Sequence, residues 1–151
     1  MDLHQYLHDH TNAILAQASA SMARSHLAHY EKAGEEHTQQ RLKALLVLTV
    51  RAVKDRNLSP MVAHADSIAR ERFNAGFDLW EVQTAFNVLE EALWTSLLRD
   101  LPPAELPEGL GLVSTVLGIG KDTLARRYVS LAAKTRVTSL NLQTLFNGVD
   151  E

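Results

Sequence analysis

The chain contains no cysteine in its 151 residues. That excludes a disulfide framework, a thiolate-held iron–sulfur site and a thiol nucleophile, and it suits a reducing compartment. Long apolar runs are missing too. The longest, near residues 44–50, falls far short of the roughly 20 residues a membrane helix needs, so no membrane association is expected. The first residues, Met1-Asp2-Leu3-His4-Gln5, have neither the basic nor the apolar region of a signal peptide, and the expected location is cytoplasmic. Neither sign of charge dominates. Fifteen Lys and Arg stand against 18 Asp and Glu, a formal net charge of −3, so no nucleic-acid partner is expected. Proline and glycine are sparse, at 4 and 7 residues, and no alternating strand pattern or internal repeat occurs. With 46% hydrophobic and 22% charged residues, what remains is one soluble, core-forming domain over residues 1–151.

The clearest local signals lie in residues 60–101, which predict two helices folded back on each other, 60–74 and 79–101. Between them stands Ala75-Gly76-Phe77-Asp78. Gly76 suits the left-handed position that ends a helix. Asp78 suits the N-cap of the next helix, with Glu81 as its capping-box partner. Leu79, Val82, Phe86, Leu89, Leu93 and Leu97 then repeat at alternating spacings of three and four, which makes one apolar face to bury. Trp80 and Trp94 flank it.

Elsewhere, residues 2–30 are free of proline and glycine and predict one long helix, with Ala13, Ala16, Ala18, Ala20 and Ala23 offering a close-packing surface. A polar connection with a stop at Gly34 follows. A helix over 38–57 comes next, starting at Thr38 or a neighbour, with Leu42, Leu45, Leu46, Thr49 and Val53 on its apolar face. Ser59 is the expected N-cap and Pro60 the first helical residue of the next. Residues 101–109, with three prolines, read as a loop. A last helix is expected over 110–149, loosened or kinked near Gly118 and Gly120, its stripe including Leu124, Tyr128, Leu131, Leu142 and Leu145. Unbroken, it would run roughly 60 Å at about 1.5 Å per residue, longer than a domain of this size is wide. It therefore breaks, or its far end pairs with a second chain, which makes these five residues the expected dimer interface.

Candidate chemistry is thin. His4 with His8, and His26 with His29, have helical spacing for a metal, but no acidic partner stands at matching spacing and no Glu-x-x-His occurs. His64 is the one candidate haem ligand, with no second feature behind it. No phosphate loop or nucleophile motif is present. Arg72, in the last turn before Gly76, is expected to bond its helix's terminal carbonyls or to pair with Asp78 or Glu81. Charge also segregates: residues 78–108 are mainly acidic and 121–136 mainly basic, which favours antiparallel contact within the fold or across a dimer.

The run Ile68-Ala69-Arg70-Glu71-Arg72-Phe73-Asn74-Ala75-Gly76-Phe77-Asp78-Leu79-Trp80-Glu81-Val82, continuing to Phe86, Leu89, Ala92, Leu93 and Trp94, resembles the N-terminal domain of RsbR/RsbRD-type proteins, the RsbT co-antagonists. The resemblance covers about residues 14–101 and is sharpest at Arg72 and Gly76. It implies an all-α, globin-like bundle of five to seven helices without haem, dimeric, acting as a sensory or regulatory module in stress signalling. Such domains often precede a STAS, kinase or transcription-regulator output domain. None follows Glu151, so the expectation is a stand-alone sensor or a fragment. The function expected is non-catalytic signalling by helix repositioning, with no cofactor and no metal. The competing expectations are a ligand- or haem-binding sensor and a histidine-site metalloprotein.

Overall fold

The computed structural model describes the backbone of residues 2–149 and the side chains up to residue 136. Among the described residues it is all-helical, in keeping with a globin-like bundle. The helices are α1 Leu3–Asp9, α2 Thr11–Arg24, α3 Ala28–Ala33, α4 Glu35–Asp55, α5 Ser59–Asn74, α6 Leu79–Asp100 and α7 Leu106–Val149.

Helix α6 is the middle element, packed against α2, α4 and α7, while α5 lies on α7 and α4. Of its expected stripe, Val82, Phe86, Leu89, Leu93 and Leu97 are buried and Leu79, in the first turn, is half-buried; Ala85, Val88, Ala92 and Ser96 are buried beside them. The buried face is wider than one stripe because several helices cover it. Each large apolar side chain taken from water there contributes about 1.5–3 kcal/mol. Trp80 and Trp94 sit at the edge of that face and stay exposed.

The single helix expected over residues 2–30 is three helices. The first break is at His10 (φ −105°, ψ 11°). Tyr6 is held across the fold by hydrogen bonds of its hydroxyl to Ser96 Oγ at 2.6 Å and Asp100 Oδ2 at 2.6 Å. The His10 ring stacks on Tyr6 at 4.0 Å and donates from Nδ1 to the Tyr6 carbonyl at 2.8 Å. The second break is at Ser25 and His26. Ser25 Oγ donates to the Ser21 carbonyl at 2.9 Å, and His26 takes a left-handed φ of 49°. This turn brings Leu27 and Tyr30 into the core. Side-chain bonds to the backbone and tertiary burial end these helices, and neither needs glycine or proline.

Three other boundaries move. Helix α4 starts at Glu35, not Thr38, with Gly34 (φ 98°, ψ 156°) as its N-cap. Glu35 and Glu36 then fall in the first turn, where the helix dipole favours acids. Ser59 is already helical and Leu58 precedes it as N-cap. The side chain of Asn57 closes that turn, accepting from the Ser59 amide at 3.1 Å. Helix α7 starts at Leu106, so Pro107 stands in its first turn, where a missing amide hydrogen costs nothing.

No break occurs at Gly118 or Gly120. Gly120 marks a close approach instead: a Cβ there would lie 2.7 Å from a Phe86 ring carbon and 3.1 Å from the Met61 sulfur. The basic stretch of α7 partly pairs inside the fold. Lys121 reaches Glu90 at 3.4 Å, and Arg127 reaches Asp66 of α5 at 3.4 Å.

Candidate functional site

The corner between α5 and α6 is built as its sequence predicts. Gly76 has φ +86°. The Phe77 amide donates to the Arg72 carbonyl at 2.9 Å and the Gly76 amide to the Phe73 carbonyl at 3.1 Å. These are the two bonds of a Schellman motif, which satisfy the last carbonyls of α5. Asp78 and Glu81 form both halves of the capping box that starts α6.

Glu81 does more than cap. Its carboxylate is 2% exposed. It accepts from the Asp78 amide at 3.2 Å, from His29 Nδ1 at 2.7 Å and from the His29 amide at 3.1 Å. A buried carboxylate is tolerated when its lone pairs are met in this way, and here it ties α3 to the start of α6.

Arg72 adopts neither expected role. The carbonyls it was expected to cap are taken by backbone amides, and Glu81 is taken by His29. Its guanidinium, 5% exposed, bonds Glu71 at 2.7 Å and stands 5.9 Å from the Phe77 ring centre. Arg41 of α4 comes up beside it, 5.4 Å from the same ring centre and 5.8 Å from that of Tyr30. Burial, and then the charge of Arg72, push the Arg41 pKa down. Burial raises the Tyr30 phenol pKa, with the Arg72 charge opposing the rise. His64 is pushed below its usual value by burial and then by Arg72. Arg72 Nε and one Arg41 terminal nitrogen are buried without a hydrogen-bond partner. Both arginines and His64 line a pocket of about 240 Å³ whose apolar wall includes Leu45, Ile68, Val82 and Phe86.

The cluster continues into α7. The Tyr128 hydroxyl donates to the Phe77 carbonyl at 3.1 Å, and its ring meets Phe73 edge-on at 5.6 Å. Burial, and next the neighbouring Tyr30, push the Tyr128 pKa up to about 12, which keeps it a neutral donor. Of the five expected interface residues, Leu124 and Tyr128 are buried in the chain's own core. Leu131 is half-buried, and Leu142 and Leu145 lie outside the residues whose side chains are described.

The histidine pairs do not converge. His4 contacts Asp2 at 2.6 Å, His8 lies 3.6 Å from Asp9, and His26 and His29 meet different acids, Glu31 and Glu81. Among the described residues, no three His, Cys, Asp or Glu gather as a metal would need. His64 opens onto the two-arginine pocket, which at about 240 Å³ is below the about 300–1,000 Å³ of drug-sized ligand sites. No described helix is long and apolar enough to cross a membrane. Sequence reasoning missed Arg41 and the shared pocket. One signal was available for Arg72: it falls in register with Met61, Ala65 and Ala69 on the buried stripe of α5.

Fold and site together define an all-helical, globin-like bundle with a buried ionic cluster at its hairpin corner. A family model described as the RsbT co-antagonist protein rsbRD N-terminal domain matches residues 7–134, and the chain belongs to that family. The match extends the resemblance seen in the sequence at both ends, taking in α2 and most of the packed part of α7. No curated protein and no solved structure matches the chain.

Proposed function

We propose that this chain is a non-catalytic regulatory module that works as a homodimer and passes a stimulus to a downstream partner by repositioning α7. Family membership supports the regulatory class. One observation carries the relay: among the described side chains Tyr128 is the last buried position of α7, yet the helix runs on to Val149, roughly 30 Å further at about 1.5 Å per residue. A helix anchored in the core at one end and extending past it at the other transmits a shift of its base over its whole length. Tyr128 is that anchor, bonded to the corner carbonyl of Phe77. Leu131, Leu142 and Leu145 are the proposed contacts between the two copies. The exposed alanines of α2, Ala13, Ala16, Ala20 and Ala23, are the second surface that permits close approach. The partner is of the STAS, kinase or transcription-regulator type, and a reducing, cytoplasmic setting suits a chain without cysteine.

Light scattering over a range of concentrations tests the dimer. The expected mass is twice the chain's 16.8 kDa. A mass that stays at the single-chain value sinks the proposal. Deleting residues 138–151 is expected to weaken the association.

A further inference from the structure

We infer that the pocket between α4, α5 and α6 is a binding site for a small organic carboxylate, its carboxylate held by Arg41 and Arg72 and its apolar body lying against Leu45, Ile68, Val82 and Phe86. This deepens the relay reading above, since it names the class of stimulus, and it rests on that reading only for its consequence.

The argument begins with charge. Two guanidiniums stand side by side against one phenylalanine ring, and Glu71 is the acid that reaches both, at 2.7 Å from Arg72 and 3.9 Å from Arg41. Glu71, 61% exposed, lines the rim of the same pocket, and its one negative charge stands against two positive ones. Burying a cation without full compensation is costly. The cost shows in the depressed pKa of Arg41. Hydrogen bonding is also incomplete, because Arg72 Nε and an Arg41 terminal nitrogen have no partner. Arg72 is almost fully buried and lines the pocket. An arginine fork matches a carboxylate in shape as well as charge, so one bound carboxylate supplies both the missing charge and the missing acceptors.

The apolar wall selects among anions. A cavity of about 150 Å³ holds a benzene, so about 240 Å³ admits an acid of benzoate or hexanoate size. An inorganic anion leaves Leu45, Val82 and Phe86 uncovered. Occupancy would report to α7 directly, because Phe77, which both arginines face, is the residue whose carbonyl Tyr128 holds.

Calorimetric titration and thermal melting of the full chain with benzoate and hexanoate test the site, with benzamide and inorganic phosphate as comparators. Saturable binding and a rise in melting temperature are expected with both carboxylates and with neither comparator. Arg41→Gln, at a half-buried position that leaves Arg72 and the core in place, is expected to weaken benzoate binding at least about ten-fold, as loss of one charge-assisted hydrogen bond implies. Its helical circular dichroism should match the parent. No binding of either acid overturns the site. Equal binding of phosphate or benzamide overturns the carboxylate assignment, and unchanged benzoate affinity in Arg41→Gln overturns the location. A single-chain mass in light scattering together with carboxylate binding would remove the dimeric relay and leave the site. A dimer that binds neither acid would do the reverse.

Discussion

Two glycines on this chain act for different reasons, and each supports a prediction at the scale of one residue. Gly76 holds a left-handed φ of +86°, and a Cβ there would meet its nearest neighbour, His29 Nε2, at an ordinary 3.7 Å. The cost of replacement is therefore backbone strain, not a clash. Gly76→Val is expected to lower stability by about 1–3 kcal/mol, and Gly76→Asn by clearly less, since Asn tolerates that region. Equal denaturation midpoints for the two variants would show that sterics and not φ decide. Gly118 and Gly120 stand two residues apart in one helix and should respond to alanine with opposite signs. A Cβ at Gly118 meets nothing within 4 Å, so Gly118→Ala is expected to stabilise by up to about 1 kcal/mol through helix propensity. At Gly120 the 2.7 Å approach to Phe86 turns the same change into overpacking, with a loss of about 1–3 kcal/mol. Urea titrations of both variants check the pair, and a stabilised Gly120→Ala would mean that α7 has room to move away from Phe86.

Among the helices, what was legible in the sequence was what is local. The α5–α6 corner and the α6 stripe depend on neighbours three to five residues apart, so glycine, capping box and apolar period announced them. The first break in the first helical stretch depends on Ser96 and Asp100, some 90 residues from Tyr6, and no local pattern carries that. The glycine pair read as a kink because sequence shows flexibility and not the ring of Phe86 packed against it. The two-arginine pocket was invisible for the same reason: Arg41 and Arg72 are brought together only when α4 packs on α5. The link between the corner and α7 includes one buried hydrogen bond, from Tyr128 to the Phe77 carbonyl, and it makes an element-scale prediction. Tyr128→Phe is expected to lose about 1–2 kcal/mol by leaving the Phe77 carbonyl unmet. The raised phenol pKa adds a pH signature. In the unfolded chain this tyrosine ionises near the ordinary tyrosine value of 10.0, in the fold only at about 12. Folding thus opposes ionisation. The stability contribution is complete below pH 10 and is lost as pH rises from 10 towards 12. Tyr6 and Tyr30 are shifted the same way. Denaturation midpoints measured across that window should fall in the parent and fall less steeply in Tyr128→Phe. Parallel slopes would show that the Tyr128 hydroxyl is not held in the folded state.

At the scale of the whole molecule, the absence of cysteine becomes a tool. Any cysteine introduced is the only thiol in the chain, and a disulfide between two copies can only be symmetric. Disulfide formation needs Cα atoms within about 7 Å, a condition met across a two-fold axis by residues on the shared seam and not by those facing away. On α7 the seam expected from Leu131, Leu142 and Leu145 passes through Thr135, one turn on from Leu131, whose carbonyl accepts from its hydroxyl at 3.0 Å. Ala133 falls on the opposite side of the helix, and both positions are exposed. Thr135→Cys is therefore expected to cross-link readily under mild oxidation, and Ala133→Cys to stay largely monomeric on a non-reducing gel. Dilution separates contact from collision: a seam disulfide forms to the same extent at low concentration as long as the dimer persists, whereas random encounters fade. Equal cross-linking of the two variants, or none in either, would take α7 out of the interface. The dimer, if light scattering had established one, would then have to rest on the alanine face of α2, and the distal helix would be left free to meet the downstream partner as a single strand.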